Sequence, residues 1–190
     1  MAVSERPDQV PANHRFRMIL PLAALAFAVV HLAFEHFTGG VKSHHLLNRA
    51  DLPAFSNWLG LVTLPLLGIA LALRVSRLPP VTGWAGFPAA VLVGLFGAFL
   101  YGAVLATSFE LGAMSITSAV FFGLFLCALL FPVYRAEYLL GFVAGMTVTF
   151  GAILPFFIAL VFATISFVVR FLVGSVVAAL RKRRAPDGAV

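Results

Sequence analysis

Four of the chain's five histidines fall within fifteen residues, "HLAFEHFTGGVKSHH", from His31 to His45, with Glu35 between them. Imidazole and carboxylate together can move protons, or can bind zinc, iron or copper. His31 and Glu35 are four residues apart. On a helix that places them about 40° from a common face, close enough to share a site. His36 is about 140° from His31 and points elsewhere. Gly39 and Gly40 end the helix and let the chain fold back. His44 and His45 can then return over the helix end, with Asp51 six residues later.

The expected ligand set for a divalent transition metal is therefore His31, Glu35 and one of His44 and His45. Asp51 and Glu110 are the candidates for proton transfer, since a carboxylate beside apolar walls has its pKa raised toward useful values. The local pattern is not a known zinc-protease motif. H-x-x-E-H carries its histidines four apart, whereas "HLAFEH" has one residue more, and H-E-x-x-H is absent. The repeated Glu-x-x-His of di-iron bundles is also absent. Ordinary roles compete with chemistry at each position. An interfacial histidine can be an amphipathic anchor, and neighbouring loop histidines can simply be solvated. Glu35 tilts the balance. A carboxylate among Leu32, Phe34 and Phe37, one turn from a helix end, is costly unless paired or wet.

The elements that must position these residues are apolar helices. Of 190 residues, 62% are hydrophobic and 11% charged, and mean hydropathy is +1.04. Soluble domains are about half apolar and a quarter charged. Lipid is the solvent this composition suits, and the fold class expected is an all-α transmembrane bundle. After a polar leader (residues 1–17), spans are expected near 18–37, 55–73, 83–106, 112–133, 138–154 and 156–180, followed by a basic tail, 181–190. "ALA" at Ala24–Ala26 resembles a signal cleavage site, but the apolar run continues past it. The stretch from Val81 to Val133 contains one charge, Glu110, and is divided at Thr107–Gly112. Tyr138–Leu180 is 43 residues with one charge. As one helix it would measure about 65 Å, twice the roughly 30 Å hydrocarbon thickness. It must turn back, with Gly151 and Pro155 the natural punctuation.

Charge sets the expected orientation. With the N-terminus inside, ten of thirteen basic residues fall on inner segments, and only Lys42 and Arg49 on outer ones. This is the positive-inside pattern of an N-in, C-in protein. The net charge of +6 thus reads as topology signals and headgroup anchors, not as a nucleic-acid surface. Cys127 is a single thiol and forms no internal disulfide. Arg170 lies alone in the sixth span and can snorkel or face an anionic headgroup. Gly94, Gly97 and Gly102 form a close-packing face. Asp51 before "LPAF" resembles a helix N-cap. Trp58 suits the interfacial belt. Ser108, Ser115, Thr117 and Ser118 add hydroxyls near Glu110.

These features place the His/Glu cluster at the extracytoplasmic end of a bundle in a bacterial cytoplasmic membrane. The leading expectation is a metal-binding membrane enzyme acting on a lipid or another hydrophobic molecule, through a one-sided pocket lined by His31, Glu35, Glu110 and residues near Asp51, floored by the second, third and fourth helices. A metal-ion or proton transporter is disfavoured, because the inner half holds almost no ionisable side chain. A haem protein would want axial histidines on two spans, and no histidine follows His45. An accessory subunit of a larger complex, or a homo-oligomer, is a further possibility.

Overall fold

The computed structural model describes residues 16–45, 51, 53–79 and 87–184, with side chains as far as Arg181. Most of the leader, Arg49 and the end of the basic tail lie outside the described residues. The described chain is mostly helical. In order it forms α1 (Phe16–Phe37), β1 (Ser43–His45), β2 (Ala54–Ser56), a 3₁₀ turn (Asn57–Leu59), α2 (Gly60–Val75), α3 (Ala89–Glu110), α4 (Met114–Leu130), α5 (Ala136–Phe150) and α6 (Ile153–Arg184). Four segments are long and apolar enough to cross a membrane: Phe16–Phe37, Asn57–Val75, Ala89–Glu110 and Ile153–Arg181. α4 and α5 are apolar too, but have only 17 and 15 residues. At 1.5 Å per residue they reach about 26 and 22 Å, short of a full hydrocarbon layer.

The turns sit where the sequence places its punctuation. α1 ends as Gly39 and Gly40 take φ of 132° and 99°, and the Gly40 N–H donates to the Glu35 carbonyl at 2.9 Å. α3 and α4 are separated by Gly112, and α5 and α6 by Gly151, each with φ of 67°. The region before α2 differs from expectation. Instead of a helix capped by Asp51, the chain makes a short antiparallel pair, Ser43 opposite Ser56, His44 opposite Phe55 and His45 opposite Ala54. Ser56 then caps the 3₁₀ turn through its hydroxyl, which accepts from the Trp58 N–H at 3.5 Å. Asp51 lies in a turn ahead of β2. Trp58 is exposed, as a belt residue would be.

α5 is the centre of the bundle, packed against α2, α3 and α6, while α1 packs on α2. Its closeness to α3 depends on small residues. A Cβ at Gly141 would strike the Leu95 carbonyl oxygen, and one at Gly145 the Phe99 carbonyl oxygen. Of the three α3 glycines expected to form a packing face, Gly94 and Gly102 do meet α5, but a Cβ on Gly97 meets nothing within 4 Å. Leu64, Leu71, Val75 and Val143 are fully buried at the helix contacts. α4 stands apart, touching α3 and α6.

Candidate functional site

The end of α1 supplies His31 and Glu35 on one face, both inside the bundle at 7% and 3% exposure. Their separation, 3.8 Å from His31 Nε2 to Glu35 Oε1, is that of an ion pair when the imidazole is protonated. The 3₁₀ turn ahead of α2 supplies a partner whose role the sequence leaves open between a cap and a hydrogen bond to a neighbour. Asn57, 4% exposed, donates from Nδ2 to Glu35 Oε1 at 2.6 Å. Its backbone N–H donates to the Lys42 carbonyl at 3.0 Å, and the Lys42 N–H approaches Glu35 Oε2 at 3.4 Å. A buried carboxylate needs such donors, because burying it unpaired is expensive. Glu35 thereby ties the end of α1 to the chain that returns over it.

Strand alternation sorts the two loop histidines. His44 turns inward and His45, one residue on, is exposed. His44 Nε2 is buried and, like His31 Nε2, has no hydrogen-bond partner. Gly151 closes this end from the α5–α6 turn. A Cβ there would collide with Asn57 Oδ1 and lie 3.5 Å from His44 Cδ2. Only glycine combines that clearance with a φ of 67°.

His31 and Glu35 face each other at four-residue spacing, and both act on His44 through space. The other expected members lie on exposed positions. His45 is on the opposite face of its strand, and His36 is exposed against Phe37. Asp51 is exposed in its turn. Glu110 is exposed at the end of α3 but still acts on His44 through space. Ser108, by contrast, is buried and receives a hydrogen bond from Thr117 at 3.0 Å, which ties α3 to α4. Among the described residues no three His, Cys, Asp or Glu side chains form a group that could hold a metal ion. The donor types would suit one, but Glu35 Oε1 is already occupied by Asn57. Three crevices in the bundle are lined by other residues and include none of His31, Glu35, His44 or Glu110. The expected pocket floored by the second, third and fourth helices is not among them.

Burial lowers the His44 pKa below its usual 6.5; Glu35 opposes that shift, Lys42 and His31 add to it, and Glu110 opposes it weakly. A group whose folded pKa is depressed binds more protons when unfolded. His44 therefore stabilises the hairpin fully above about pH 6.5 and loses that contribution as pH falls toward its folded value. Acidifying from pH 7 to about 5 should lower the hydrogen-exchange protection factors of the Ser43–His45 amides, that is, their exchange should slow less than the intrinsic pH effect requires. His44→Gln should remove that acid sensitivity.

A second buried charge lies at the opposite end of the bundle. Glu137, 2% exposed, accepts from Arg74 Nε at 2.6 Å, joining α5 to α2. Both residues border apolar runs in the sequence, where charges read as topology signals. Their 63-residue separation hides the pairing. This end of the bundle, expected to hold almost no ionisable side chain, thus carries a buried carboxylate whose charge is compensated by Arg74.

The chain is a helical protein with membrane-type helices and a buried His–Glu–Asn junction at one end. Compared with protein-family models, curated proteins and solved structures, it matches none.

Proposed function

We propose that this is an integral membrane protein crossing the bilayer six times with both termini cytoplasmic, and that its extracytoplasmic end is an acid–base site for a lipid or another hydrophobic substrate. The observation that carries the site is a buried carboxylate, Glu35, in ion-pair reach of His31, with two buried imidazole nitrogens, His31 Nε2 and His44 Nε2, that make no hydrogen bond among the described residues. Buried polar atoms without a hydrogen bond are uncommon, and a catalytic role is one of the reasons they occur. In this reading His31 and Glu35 exchange a proton with the substrate. Asn57 is a positioning residue that orients the carboxylate, and His44 binds or donates from the hairpin.

A divalent metal is the second reading, favoured by the same two nitrogens. As placed, His31, His44 and Glu35 do not form a metal-holding group; they would have to draw together to hold the ion, which would supply Lewis acidity there. Glu35 would first have to release Asn57.

Transport is supported less. Three buried hydroxyls between the ends of the bundle donate to carbonyls three or four residues back in their own segments: Thr63 to Leu59, Ser108 to Leu105 and Thr147 to Val143. Leu64, Leu71 and Val143 fill the space between. Such a wall does not pass protons or ions. The test is proton and zinc flux in sealed liposomes. No protein-dependent flux is expected, and flux abolished by Glu35→Gln would make the protein a carrier.

Sidedness has its own expected outcome. A cysteine at Ser43 should react with an impermeant thiol reagent applied outside intact cells, and one at Ala185 should not. The opposite labelling would reverse the orientation.

A further inference from the structure

A crevice of about 320 Å³ runs between α3, α4, α5 and α6, lined by Gly97, Tyr101, Cys127, Phe131, Phe142 and Phe162 among others. That volume lies at the lower end of the range for ligand pockets, about 300–1,000 Å³. It exists because α4 is held off the bundle. The Tyr101 hydroxyl donates to the Val120 carbonyl at 2.6 Å, and its oxygen fills the space a Cβ on Gly123 would need. Phe125 meets Phe162 edge-on, 4.8 Å between centroids. Val93, Gly97 and Phe131 at the rim are exposed, so the crevice opens sideways from the bundle. In a bilayer that opening faces hydrocarbon.

At one end of the crevice the chain leaves α4. There Ser166 donates to the Phe131 carbonyl at 2.8 Å and Arg170 Nη2 to the Leu130 carbonyl at 2.7 Å. Arg170 Nε is buried with no partner. Arg74, the other half-buried arginine, has its carboxylate in Glu137. Among the described residues Arg170 has no such partner. Its remaining donors and its charge are available beside Phe131, at the mouth of the crevice.

We propose that this crevice holds an acyl chain of an anionic phospholipid whose phosphate sits on Arg170. The apolar lining takes the chain. Guanidinium takes phosphate through short, charge-assisted hydrogen bonds. The two features meet at the Leu130–Phe131 turn, as the two ends of one lipid require. The proposal needs the bundle to sit in a bilayer and is independent of the chemistry at the histidine end.

The test is native mass spectrometry of the full chain in mild detergent, with phosphatidylglycerol and diacylglycerol of identical acyl chains, the second lacking the phosphate. Wild type should retain one phosphatidylglycerol per chain and favour it about ten-fold over diacylglycerol, the value of one charge-assisted hydrogen bond. Gly97→Phe fills the crevice without meeting protein atoms at its Cβ, and should cut retention of both lipids. Arg170→Gln should keep retention and lose the headgroup preference. Equal retention of the two lipids by wild type, or undiminished retention by Gly97→Phe, overturns the proposal. So does an undiminished preference in Arg170→Gln, which reads the headgroup contact even if the phenylalanine variant fails to fold.

Discussion

Gly145→Leu is expected to abolish recovery of folded protein, whereas Gly97→Leu, on the neighbouring helix, should be recovered and melt like wild type. The contrast comes from backbone proximity. At Gly145 a Cβ would stand inside contact distance of the Phe99 carbonyl oxygen and 2.9 Å from the Ala103 nitrogen. Those are helix backbone atoms and have no rotamer to yield. α3 and α5 would have to separate, and α5 is also the surface on which α2 and α6 pack. In membranes helices gain little from hydrophobic burial against one another and depend on such close approach. Overpacking of well-filled sites costs about 1–3 kcal/mol where side chains can adjust, and more where they do not. With net stability of about 5–15 kcal/mol for a typical domain, separating two central helices is enough to lose the fold. Size-exclusion recovery and a thermal melt in detergent check both variants.

The second large effect is at Asn57. Asn57→Leu keeps the volume but removes the donor 2.6 Å from Glu35 Oε1. The carboxylate stays buried and loses its shortest hydrogen bond. Leaving a buried acceptor without its hydrogen-bond partner costs about 1–3 kcal/mol, and more for a charged group. The hairpin end should open, seen as a lower melting temperature and as proteolysis within residues 38–56. Replacing both partners is less harmful than replacing one. The double variant Glu35→Leu, Asn57→Leu should therefore recover part of the lost stability, and it should have no function. Additive losses would mean that the contact carries little energy.

The legible part of the molecule was what repeats or breaks a pattern. Apolar run length gave the helices, and Gly39–Gly40, Gly112 and Gly151 marked the turns because few other residues tolerate positive φ. Four-residue spacing put His31 with Glu35. Reading Asp51 as a helix cap failed because a three-residue strand pair has too little periodicity to compete with "DLPAF" as a helix start. Choosing between His44 and His45 needed the strand, since only alternation turns one inward. Asn57 was ambiguous because its partner lies 22 residues away, and the Arg74–Glu137 pair was invisible for the same reason. Gly97 looked like its neighbours Gly94 and Gly102, yet a Cβ there meets no other helix. Spacing alone does not say which face finds a partner.

The central claim is that the His31–Glu35–His44 end of the bundle does chemistry on a hydrophobic molecule. The most direct measurement is mass spectrometry of lipids before and after incubating the purified protein in liposomes of native membrane extract. The account predicts a lipid species that changes with time in wild type, at a rate lowered about 10²–10⁴-fold by Glu35→Gln, the usual worth of one acid–base group, and similarly by His31→Ala, with both variants folded. Lipid profiles that stay identical in wild type and variants would contradict it.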